Sequence, residues 1–118
     1  MSELKTKIRD YYALQPKDYH VVQSIKLSQN FGPTGVYEQT VSLVLQKEVV
    51  SVARLCLEFY GVRKLLLQQP EWSLISIGLL DISMQTGLQD FENNLLVRDL
   101  DHEAIISFEC RDFDARVE

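Results

Sequence analysis

Two kinds of residue in this chain could take part in chemistry: paired carboxylates, and large aromatic side chains at breaks in the hydrophobic pattern. Glu58 and Glu109 each fall on the polar side of an alternating run. On neighbouring strands the two carboxylates would crowd, one would hold its proton to higher pH, and an acid/base dyad would result. Asp99, Asp101, His102 and Glu103 gather hard-cation ligands in one bend, because alternating carboxylates can converge in a loop. That bend lacks the glycine that lets a loop close tightly round calcium. A solvated hairpin tip, or a partner-binding edge, explains Asp99, Asp101 and Glu103 better. His20 has no nucleophile and orienting group beside it in sequence and reads as a boundary histidine.

Cys56 and Cys110 are the only cysteines, and both sit in apolar runs, where a free thiol packs as a small hydrophobe. Two cysteines and two histidines this far apart do not have the spacing of a zinc site. The glycine-rich phosphate loops, the GxSxG elbow and the HExxH helix are all missing. The expectation is no catalytic residue, no metal and no cofactor, and a protein that is not an enzyme. Phe31 lies in the segment 30–35, and Trp72 follows Pro70 and Glu71. Large aromatics in loops either cap the end of a core or anchor a partner. A core cap is the first reading for both; as anchors, Tyr60 would extend their surface.

The elements that must position these residues follow from the apolar spacing. Residues 3–13 predict a helix: Leu4, Ile8 and Tyr11 or Tyr12 form one stripe, Ser2 can cap it, and Pro16 ends it. Residues 20–28 predict a strand, with Val21, Ile25 and Leu27 on one face. Residues 36–46 alternate equally well, and the glycines and proline of 30–35 make the turn between the two. Residues 49–60 are read as a strand with Leu55, Leu57 and Phe59 inside, because β-branched residues disfavour the helical alternative. Gly61 marks a bend or bulge before 62–68. Residues 74–82 are apolar on both faces and predict a central or doubly covered strand. The clearest signal is a closing hairpin over 94–117, with Leu95 and Val97 on one arm and Ala104, Ile106, Phe108 and Cys110 on the other, ending in a charged tail.

This pattern predicts one domain over 1–118, with an N-terminal helix at 3–13 and a β domain at 20–117. The fold class is mainly β: an antiparallel sandwich or strongly curved sheet of about six or seven strands. The alternative is an α+β layer in which 49–60 is helical. The 118 residues carry 17 acidic and 12 basic side chains, a net charge of −5, with 46% hydrophobic residues. That balance suits a globular protein and argues against nucleic acid and anionic membranes, which need clustered Lys and Arg. A basic protein partner is compatible with it. The first residues have no signal-peptide core and no run is long enough to span a membrane, so a cytoplasmic location is expected. The protein is expected to be a monomer or homodimer, since charges at Arg111, Asp112, Asp114 and Arg116 would protect a closing edge strand.

The segment 57–62 (Leu-Glu-Phe-Tyr-Gly-Val), the run 97–101 (Val-Arg-Asp-Leu-Asp) and the strand 105–110 (Ile-Ile-Ser-Phe-Glu-Cys) together resemble small uncharacterised bacterial domains. Some of these are grouped with polymorphic-toxin immunity proteins. The resemblance covers 57–113, rests on structural rather than catalytic positions, and implies binding of another protein without chemistry of its own. The leading expectation is therefore a non-enzymatic protein-binding domain, in its narrower form an immunity-type inhibitor of a basic toxin. Its candidate contacts are Phe31, Trp72, Tyr60, Asp99, Asp101 and Glu103. A small-molecule-binding β sandwich or barrel, with Phe31, Trp72 and Tyr60 round a pocket, is the second reading. A small enzyme using the paired carboxylates is the third.

Overall fold

The computed structural model describes residues 3–33, 35–47, 53–67, 79–85, 95–99 and 106–118. Helix α1 (Glu3–Ala13) is followed by a short 3-10 turn (Pro16–Asp18) and by strands β1 (Val21–Phe31), β2 (Tyr37–Gln46), β3 (Arg54–Tyr60), β4 (Arg63–Leu67), β5 (Leu80–Met84), β6 (Leu95–Asp99), β7 (Ile106–Cys110) and β8 (Asp112–Val117). They form two antiparallel four-stranded sheets, in the orders β1-β2-β3-β8 and β4-β7-β6-β5. The class is mainly β with one N-terminal helix, as the two-residue periodicity predicts. Residues 54–60 are extended, which removes the helical alternative for that segment; 49–52 lie outside the described residues.

Alternation builds the core. Val41, Leu43 and Leu45 of β2, with Leu55, Leu57 and Phe59 of β3, turn to one face of the first sheet and are buried. They meet Leu80, Ile82, Leu95, Val97, Ile106 and Phe108 from the second sheet in one cluster. The Phe59 and Phe108 rings touch edge to face at 4.9 Å across the two layers. Cys110 is buried in the same cluster, and burial pushes its thiol up to about 12.

The chain changes sheets twice at one corner. β3 runs through Gly61 and Val62 into β4, and β7 runs through Arg111 into β8, so two bent strands lie side by side with Tyr60 opposite Asp112 and Arg63 opposite Glu109. Gly61 takes a left-handed φ of 65°, which supplies the bend expected there.

Three sequence expectations are corrected, and a fourth is narrowed. The tail after Cys110 is not loose charge but strand β8, which places Phe113 in the core. β1 runs on to Phe31 because Asn30 and Phe31 pair with Glu38 and Tyr37, so Phe31 belongs to a strand and not to the turn. The β1 ladder slips between Val22 and Ser24. Across that bulge Val22, opposite Leu45, packs on the core cluster with Ile25, while Val21, opposite Gln46, is buried outside that cluster. Finally, among the described residues Leu80–Met84 ends the order of the second sheet and is covered by α1, so of the two positions expected for 74–82 it takes the covered one; 74–78 lie outside the described residues.

That helix staples the two layers. The Tyr11 hydroxyl donates to the Leu80 carbonyl at 2.5 Å, while its ring stands edge-on to Phe113 at 6.1 Å. The Tyr12 hydroxyl sits 2.5 Å from Asp81 Oδ1 and accepts from the Ile82 N–H at 3.1 Å. Lys7 bonds Asp112 at 2.9 Å on β8. Burial, then the bond to Asp81, pushes the Tyr12 phenol up to about 12, and burial raises Tyr11 as well. An unfolded phenol titrates near 10. The native state therefore holds a proton the unfolded chain releases: this stabilisation is complete below pH 10 and is lost as pH rises towards 12. Alkaline titration should show tyrosinate absorbance rising together with loss of circular dichroism. Free titration of every tyrosine near pH 10, with the fold intact, would refute this docking.

Candidate partner-binding face

The outer face of the first sheet carries the polar half of the same alternation. Strand register lines up Lys26, Ser42, Glu58 and Asp114 in one row across four strands. Ser28, Thr40, Tyr60 and Asp112 form the next row. The small hydroxyl residues leave two adjoining hollows of about 490 and 360 Å³ that share Ser42 and Glu58, and together they make one groove.

Tyr60 lines the smaller of the two hollows. Its hydroxyl lies 2.9 Å from Glu58 Oε2 and 2.9 Å from Asp114 Oδ2. One phenolic proton can serve only one of these carboxylates at a time; Lys7 already pairs with Asp114 Oδ1 at 3.3 Å, so a cation or donor from outside would meet the remaining carboxylate oxygens. Burial and both carboxylates raise the phenol, which stays protonated across the neutral range. At the corner end, Arg111 forks onto Glu38, with Nε to Oε2 at 2.9 Å and Nη2 to Oε1 at 2.5 Å, and lies 5.9 Å over the Tyr60 ring. A Cβ at Gly61 would sit 2.8 Å from Arg111 Cγ, so only glycine admits this placement.

Phe31 stands at the rim of the same groove. It is 67% exposed and stacks on Tyr37 with ring centroids 4.2 Å apart, so it caps no core. The structure thus brings Phe31 and Tyr60 together. Asp99 goes elsewhere: it ends β6 in the second sheet and is buried. Trp72, Asp101 and Glu103 lie outside the described residues. Glu38 and Arg111 also line the groove, and Asp114 reaches it through its bond to Tyr60; sequence patterning alone does not assign them there. Arg111 was signalled by the shift of apolar spacing from Cys110 to Phe113, three residues apart where alternation allows two or four.

The carboxylate dyad of the third reading, Glu58 with Glu109, does not form. Glu58 is in the first sheet beside Tyr60, and Glu109 is in the second, 3.5 Å from Lys64. His20 is exposed ahead of β1. Among the described residues no three His, Cys, Asp or Glu side chains converge as a metal site, and no helix is long and apolar enough to cross a membrane.

Fold and face define a two-layer antiparallel β sandwich whose groove offers ion pairing and aromatic stacking. Residues 3–116 match the family model described as Immunity protein PIM8, and the chain belongs to that family. Membership implies a toxin as partner. No curated protein and no solved structure matches the chain at a significant level.

Proposed function

We propose that this chain is a non-catalytic immunity-type inhibitor, acting in a bacterial cytoplasm, that neutralises a basic toxin by covering it with the outer face of the first sheet. The family match over 3–116 carries the proposal. The groove supports the rest: Glu58 and Asp114 offer carboxylate oxygens to a cationic surface, and Phe31 lines its hollow of about 360 Å³. The net charge of −5 adds steering, which raises the association rate and makes it salt-sensitive.

The test uses the toxin encoded beside this gene, measured for binding by biolayer interferometry and for neutralisation by co-expression. Glu58→Lys with Asp114→Lys should weaken binding by roughly a hundredfold at low salt, about 1.4 kcal/mol for each reversed charge. A toxin neutralised equally by the double variant would move the interface to another face. A neighbouring product that is acidic, or is not inhibited at all, would end the reading.

A second reading draws on the hollow of about 360 Å³ that Phe31 and Tyr60 both line, a size that suits a small ligand. A thermal-shift screen decides it, since a ligand at 100 times its Kd adds about 2.7 kcal/mol.

A further inference from the structure

Two four-stranded sheets have four edges, and three of them are defended. β8 carries Asp112, Asp114 and Arg116, with Lys7 of α1 bonded to both aspartates. β5 is sealed by the Tyr11 and Tyr12 hydroxyls on its backbone. β4 is five residues long, begins with Arg63 and Lys64, loses register between Arg63 and Leu66, and holds Lys64 at a φ of 56°. Such charges, bulges and covers keep edges from pairing with other chains. β1 is the least defended over 24–31: it has no proline, a single charge at Lys26, a bulge only at its far end, and no cover among the described residues.

The free backbone groups of β1 can be placed. At the hairpin end the Gly32 N–H donates to the Val36 carbonyl at 2.7 Å. Bonded and non-bonded pairs alternate along an antiparallel ladder. Ile25, Leu27, Gln29 and Phe31 therefore turn their N–H and C=O groups away from β2, towards an edge that no strand among the described residues pairs. The neighbouring strand agrees: Gln39, opposite Gln29, turns its carbonyl away from β1 and accepts from the Val62 N–H at 2.9 Å.

We propose that a second copy of this chain docks on this edge, β1 against β1, antiparallel about a two-fold axis at Leu27, joining the two first sheets into one of eight strands. The edge calls for a strand with an apolar row beside Ile25 and Leu27 and no cation opposite Lys26, and β1 itself is such a strand. Centred on Leu27, the register sets Leu27 against Leu27, Ile25 against Gln29, Ser24 against Asn30 and Lys26 against Ser28. Leu27, 56% exposed in one chain, is covered by its own copy. Moving the centre to Lys26 would oppose two lysines, which disfavours that register. A basic toxin is not the occupant, because the only charge along this edge is itself positive. The proposal does not rest on the toxin reading, and the pairing leaves both grooves uncovered on one side of the joined sheet.

Light scattering behind size exclusion, on the full chain across a concentration series, tests it. The wild type should show a concentration-dependent dimer. Leu27→Pro removes an N–H that points away from β2, so circular dichroism should be unchanged while dimerisation weakens by at least roughly tenfold. Ser28→Asp places a carboxylate opposite Lys26 twice by symmetry and should tighten the dimer about threefold, an effect lost at high salt. Ser28→Lys should weaken it, and serves should the proline variant fail to fold. A chain that stays monomeric at every concentration, a dimer indifferent to a folded Leu27→Pro, or a dimer weakened by Ser28→Asp would each overturn the proposal.

Discussion

Phe59→Ala is expected to cost about 3–5 kcal/mol of unfolding free energy, well beyond what a change on the outer surface of the sandwich removes. Phe59 is fully buried on β3. Its ring meets Phe108 edge to face at 4.9 Å in the opposite layer and stacks on Phe113 at 6.1 Å in its own. Truncation removes the transfer free energy of the ring and leaves a cavity between two sheets that the ladder hydrogen bonds hold in place, so little collapse is available. Urea denaturation, followed by circular dichroism, measures it. A loss below about 1 kcal/mol would show that the two layers do not close on this ring.

Gly61→Ala comes second, at about 2 kcal/mol. A left-handed φ costs an L-residue roughly 1–2 kcal/mol, and Gly61 holds 65°. The added methyl would also stand 2.8 Å from Arg111 Cγ and 3.2 Å from its Cδ, and relief means pulling the guanidinium off Glu38. Arg111→Ala should therefore be sub-additive with Gly61→Ala, because the pair shares one clash. Strict additivity within about 0.3 kcal/mol would show that the glycine matters only for its backbone.

The architecture was legible where alternation is unbroken. Leu55, Leu57 and Phe59, or Leu95 and Val97 against Phe108 and Cys110, declare a buried face residue by residue, and the structure pairs Leu95 with Cys110 and Val97 with Phe108. It was less legible where one residue shifts the phase. The bulge at Gln23 sets Val22, and not Val21, against the core cluster, and Arg111 hands the chain from one sheet to the other. Neither residue is glycine or proline, so no punctuation announces the break. Helix α1 was readable from the Leu4, Ile8 and Tyr11 stripe, but its hydroxyl contacts to β5 span some seventy positions and leave no local trace. The candidate face suffers most. Glu58, Tyr60 and Asp114 converge only through the pairing of β3 with β8, and the alternation that places them outward says nothing about which strands adjoin.

The groove and the hydrophobic interior are two sides of the same strands, one peptide apart. Phe59 precedes Tyr60, and Phe113 precedes Asp114, so these two side chains of the proposed binding face hang from a backbone whose neighbour is locked in the sandwich. A binding surface held this way is stiff before its target arrives. Little entropy is then left to surrender on association, and tight complexes become reachable without a large contact area.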